Sequence, residues 1–87
     1  MTLSFPNESR SYDARRGLVR FSGYDGALEI SFFVEAGALR KLNPRTRTGE
    51  AGCLETFDAA RERVHEVARK LHSRTREAAY LLAAADF

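Results

Sequence analysis

The sequence predicts an α+β fold: a two-layer sandwich whose small, mainly antiparallel sheet, built on a central β-hairpin, carries one long amphipathic helix on one face plus a short helix. Two observations predict it. From Leu18 to Val34, apolar and polar residues alternate in two runs on either side of Asp25-Gly26, the period of strands with one buried face. From Leu54 to Leu71, apolar residues recur every three or four positions, the period of a helix lying on a surface. At 87 residues the expectation is a single domain, 1–87. A chain of that size buries only a little over ~60% of its unfolded surface, so the core must be small.

Taken in order, Leu3 to Pro6 reads as a short edge strand, because proline lacks the backbone donor a central strand needs. NESRSYDARRG, residues 7–17, reads as irregular surface. The hairpin follows. With Asp25-Gly26 as a two-residue turn of type I′, Tyr24 pairs with Ala27, Phe21 with Ile30 and Val19 with Phe32. One face then collects Val19, Phe21, Leu28, Ile30 and Phe32, and the other Arg20, Ser22, Glu29 and Ser31, with Arg20 and Glu29 placed for an ion pair. The stretch GYDG has the spacing of a phosphate-gripping GXXG loop. Such a loop joins two helices, whereas here it joins two strands, so Gly26 is assigned a positive φ and Gly23 relief of crowding or a bulge.

EAGALRKL offers Ala38, Leu39 and Leu42 to a short helix that stops at Asn43-Pro44. NPRTRTGEAG reads as a loop. The long helix, from about Leu54 to Ser73, carries Leu54, Phe57, Ala60, Val64, Val67, Ala68 and Leu71 as one stripe, with most charges outside it. The closing segment AAYLLAAADF is open to two readings: its alanines favour helix, and a weak alternation favours strand.

Fourteen basic and twelve acidic residues give a net charge of +2, and 44% of the chain is hydrophobic, which excludes a disordered composition. The uncharged run Ala78 to Ala85 is too short to span a bilayer, and MTLSFPNESR lacks the basic start and apolar run of a leader, so the expected location is cytoplasmic, with no membrane contact. Cys53 is the only cysteine, which rules out an internal disulfide or a thiolate metal cluster and leaves a small, semi-buried residue before a helix.

Few residues invite chemistry. Glu62 and His65 have the i, i+3 spacing of di-iron helices, and His72 follows near the same azimuth, but no second such motif exists, so no metal is expected and the rings are assigned to the rim of the stripe. Arg61 lies at the border of the stripe and calls for either an internal ion pair, with Asp86 or Glu35 as partners, or an aliphatic stem laid on the core with its head in water. Arg15, Arg16, Arg40, Lys41, Arg45 and Arg47 fall in acid-poor stretches and form a nucleic-acid patch if they converge, with Tyr12 or Tyr24 to stack a base. No nucleophile elbow, phosphate loop or zinc-protease motif is present, so the sequence assigns no catalytic residue and no cofactor.

Phe5-Pro6, Val19-Arg20-Phe21 with Asp25-Gly26 and Phe32, Ala38-Leu39, the run Thr56-Phe57-Asp58 with Arg61, Val64 and Ala68, and the closing Asp86-Phe87 together resemble the small bacterial proteins of domain-of-unknown-function family 1488. The resemblance extends from Phe5 to Phe87. It implies a two-layer α+β domain in which Ala78 to Phe87 is a strand of the same sheet. Asp25, Gly26, Arg61, Asp86 and Phe87 match its pattern and are given structural roles. Gly37 departs from it, because a Ser or Asp start is usual for the first helix. The expected function is a non-catalytic binding or regulatory module with a protein partner, including a homodimer that shields a sheet edge. The alternative is a nucleic-acid-binding accessory protein, and the remaining one an enzyme with Arg61, His65 or Cys53 in a pocket.

Overall fold

The computed structural model of the chain describes residues 3–87. In chain order the elements are β1 (Leu3–Ser4), β2 (Arg10–Asp13), β3 (Leu18–Asp25), β4 (Leu28–Glu35), α1 (Ala36–Leu42), α2 (Glu50–Ala59), α3 (Arg61–Thr75), β5 (Ala79–Leu82) and a 3₁₀ turn, Ala84–Asp86. One open five-stranded sheet runs β1-β3-β4-β5, with β2 beside β1 on the same edge of β3. Its pairs are antiparallel except β4 with β5, which is parallel. The α+β layout expected from the sequence is therefore the one observed.

The hairpin has the expected faces in a different register. Asp25 pairs with Leu28, Phe21 with Phe32 and Val19 with Val34, so the two turn residues are Gly26 and Ala27 rather than Asp25 and Gly26. Gly26 has φ +65°, and glycine at the first central position is the requirement of a type II′ turn. Relative to the expected pairing, each residue of β3 meets a β4 partner two places further on. Side chains alternate with period two, so that shift keeps every residue on its face. It does separate Arg20 from Glu29: Glu29 now lies opposite Tyr24, while Arg20 donates to Ser31 Oγ at 3.3 Å. Leu28, expected in the core, is 53% exposed. Gly23 does relieve crowding, since a Cβ there would come within 2.7 Å of the Phe5 ring.

Three further expectations are corrected. Residues 10–13 are not irregular surface but strand β2, where Tyr12 pairs with Val19 and packs against the core. The single long helix is two, because at Ala60 (φ −110°, ψ 18°) the N–H is shared between the carbonyls of Thr56 and Phe57 and the path bends. α2 buries Gly52, Cys53, Thr56 and Phe57, and α3 buries Val64, His65, Val67, Ala68 and His72. At the C-terminus only Ala79 to Leu82 is strand, and the rest closes in the 3₁₀ turn.

The core lies between the inner sheet face and the helices. Val19, Phe21, Ile30, Phe32, Val34 and Leu82 meet Ala38, Leu39, Cys53, Phe57, Val64 and Ala68. Phe21, Phe32 and Tyr80, cross-strand neighbours on β3, β4 and β5, stack as a ladder with centroids 5.0 and 5.3 Å apart. Burying each such ring is worth ~1.5–3 kcal/mol relative to exposure.

Candidate functional site

Helices cover one face of the sheet, so the residues of opposite parity form a second face. These are Arg20, Ser22 and Tyr24 on β3, Glu29, Ser31 and Phe33 on β4, and Ala79 and Leu81 on β5. Register sets Ser11, Arg20, Phe33 and Leu81 in one row across four strands. Phe33 is half-buried and its neighbour Leu81 is 53% exposed, so apolar surface sits side by side in the middle of a polar face. The guanidinium carbons of Arg16 and Arg20 lie 5.2 and 5.9 Å from the Phe33 ring centroid, within cation–π range. Beside this row, the gap between β1 and β2 leaves a polar notch of about 220 Å³ bordered by Asn7, Ser11, Arg20, Ser22 and Glu29. The row's signal was present in the sequence: Phe33 sits at a polar-face position, directly after the core Phe32.

The six basic residues expected to form a patch are split between the turn after β2, the last turn of α1 and the loop that follows it. Arg15 and Arg16 belong to the turn after β2, where Arg16 Nε stands 3.9 Å from Asp13. Leu18 pairs with Glu35, so this turn lies at the sheet end from which α1 departs. Arg40 and Lys41 occupy the last turn of α1, where cations suit the carbonyl end of a helix. Arg45 donates its backbone N–H to Asn43 Oδ1, and Arg47 reaches Glu55 at 3.5 Å.

Arg61 does not form the internal pair with Asp86 or Glu35; it lies along Phe57 and pairs at the surface with Asp58, three residues before it. Its Nη2 donates to Asp58 Oδ1 at 2.9 Å, its guanidinium lies 4.9 Å from the Phe57 ring, and its side chain is 16% exposed. Arg10 grips the same carboxylate with Nε and Nη2, at 2.9 and 2.8 Å. The Arg10 hydrogen bonds, opposed by partial burial, hold the Asp58 carboxyl below its ordinary value of 3.8. An open cleft of about 650 Å³, bordered by Glu8, Ser9, Glu62 and this trio, carries both signs of charge.

The histidines are buried, not at a rim. His65 stacks face to face on Phe5, with centroids 3.8 Å apart and planes 5° from parallel. Burial first, then the nearby cations Arg61 and Arg69, hold this imidazole below its ordinary 6.5. His72 is fixed at both nitrogens: Nε2 lies 2.8 Å from Asp25 Oδ2, and Nδ1 lies 2.9 Å from the Tyr80 hydroxyl. Asp25 thus ties the hairpin tip to α3, a role the sequence left as an unspecified structural one. Asp86 Oδ2 accepts the Ala83 N–H at 2.8 Å and so ends β5. Cys53 is buried within α2 rather than before it. Among the described residues, no group of three His, Cys, Asp or Glu is placed to hold a metal ion, and no helix is long and apolar enough to cross a membrane.

Comparison with known proteins agrees with the resemblance drawn from the sequence. No curated protein and no solved structure matches the chain. The family described as "Protein of unknown function (DUF1488)" matches residues 3–82, and the chain belongs to that family.

Proposed function

We propose that this member of the family is a non-catalytic binding module, working in the bacterial cytoplasm, whose protein partner covers the outer sheet face. The observation that carries the reading is the pairing of Phe33 with the exposed Leu81, set among Arg16, Arg20, Ser31 and Glu29. An apolar centre with a polar and charged rim is the anatomy of a protein interface. A second copy of the chain is the simplest partner, because the face bears both Arg20 and Glu29 and can answer its own charges. The non-catalytic reading rests on the reactive side chains being turned toward one another: His72 between Asp25 and Tyr80, Arg61 on Asp58, Cys53 inside the core.

The test places a photo-crosslinking residue at position 81 and, as control, at Glu66, an exposed position on α3. Adducts from position 81 that are lost with Phe33→Asp support the interface, and their mass separates a homodimer from a different partner. Equal labelling at both positions overturns it.

A second reading, nucleic-acid binding, is favoured by one observation: the Phe33 ring with two guanidinium groups over it is the combination that stacks bases and draws phosphates. Fluorescence anisotropy of labelled single-stranded oligonucleotides separates the two. Binding that weakens with salt and falls in Arg16→Ala and Arg20→Ala supports this second reading, and no binding at low salt removes it.

A further inference from the structure

The outer face makes no use of the partly buried chain Asp25–His72–Tyr80, which borders a separate cavity of about 270 Å³ walled by Leu28, Ile30 and Ala78 together with Arg76 and Glu77. A carboxylate only accepts hydrogen bonds, so the 2.8 Å contact with Asp25 Oδ2 fixes the proton of a neutral His72 on Nε2. Nδ1 is then an acceptor, and the Tyr80 O–H donates to it at 2.9 Å. The same Tyr80 oxygen accepts the Glu77 backbone N–H at 2.7 Å. Thr75 Oγ1 stands 3.1 Å from the Tyr80 oxygen and 3.2 Å from the Leu71 carbonyl, so its single hydrogen has two acceptors to choose between.

This arrangement has a second complete solution. When His72 gains a proton, it lands on Nδ1, and the Tyr80 oxygen becomes the acceptor for that N–H while still accepting from Glu77. The Tyr80 hydroxyl hydrogen then rotates to Thr75 Oγ1, and the Thr75 hydrogen turns to the Leu71 carbonyl. Every donor retains an acceptor, and the cation faces the Asp25 carboxylate. Two hydroxyl rotations and no heavy-atom movement connect the two states.

We propose that Asp25, His72, Tyr80 and Thr75 form a two-state hydrogen-bond relay that lets the fold take up a proton while the hairpin tip, the end of α3 and β5 stay tied. The charged and titratable groups around it are Asp25 from β3, Tyr80 from β5, and Arg76 and Glu77 from the connection after α3. The relay is independent of whatever occupies the outer sheet face. It sets His72 apart from His65, which is stacked between rings and cations.

The relay is tested by long-range proton–nitrogen NMR of the His72 ring in alkaline and acidic buffer, with unfolding measured in both. The expected alkaline spectrum has the proton on Nε2 and a bare Nδ1. The acidic spectrum has both nitrogens protonated with the fold's amide shifts retained. Thr75→Val removes the protein acceptor that the second state uses, so its loss of stability grows on moving from alkaline to acidic buffer, by roughly two- to threefold in the folding equilibrium, the low end for one hydrogen bond because Thr75 is exposed. Thr75→Ser restores wild-type behaviour. A proton on Nδ1 in alkaline buffer, or a Thr75→Val deficit equal in both buffers, overturns the proposal.

Discussion

Single side chains set the most direct expectations. Phe32 is fully buried between Phe21 and Tyr80, so Phe32→Ala leaves a cavity in the ring ladder and is expected to cost ~3–5 kcal/mol in denaturant unfolding. Gly23→Ala drives a methyl into the Phe5 ring and is expected to cost ~1–3 kcal/mol by the same measurement. His65 gives a pH dependence whose sign follows from its lowered folded value. Above its unfolded value of 6.5 the ring is neutral in both states and stability is full. As pH falls below 6.5 the unfolded chain takes the proton more readily, and stability is lost down to the folded value. His65→Phe keeps a ring against Phe5 and is expected to flatten that limb of a stability–pH profile. These particulars were only partly legible. Parity assigned Val19, Phe21, Ile30 and Phe32 to the core without knowledge of the pairing, because faces survive a two-residue shift. The contact between Asp25 and His72, 47 positions apart, depends on where α3 ends relative to the hairpin, and no local pattern encodes that.

Elements were legible where their apolar period was strong. The hairpin and α3 announce themselves through alternation and through Val64, Val67, Ala68 and Leu71. β2 does not, because Arg10-Ser11-Tyr12-Asp13 has one apolar residue, and its strand character comes from backbone pairing along β3. The division of the long helix at Ala60 was also hidden, since the sequence there has neither proline nor glycine and alanine is the strongest helix former. The Asp58 clasp joins β2 to this junction through Arg10 and Arg61. Asp58→Asn removes the charge both arginines share, and because the group is well exposed the expected loss is only about 1 kcal/mol, read from the thermal midpoint. Its folded value lies below 3.8, so the clasp is intact above that pH and is lost only in stronger acid.

Over the whole molecule, the two layers leave one sheet face to solvent, and stability and binding are expected to separate there. Leu81→Asp should move the unfolding free energy by no more than ~0.5 kcal/mol, since the side chain is already half in water, and should still abolish any association through that face, as sedimentation equilibrium would show. The face itself was half legible: the sequence marked its polar residues, while the adjacency of Phe33 and Leu81 required the parallel placement of β5. That placement also bears on how the chain folds. β3 and β4 meet across a two-residue turn, whereas Ser31 and Ala79 of β4 and β5 are partners 48 positions apart (79 − 31), with all three helices between them. Closing so long a loop before any contact rewards it is slow, so the hairpin and its helices should assemble first and β5 should dock last. In stopped-flow measurements, Phe21→Ala should then slow refolding, whereas Leu82→Ala should chiefly hasten unfolding. The last strand would thus govern how long the folded state survives more than how quickly it forms.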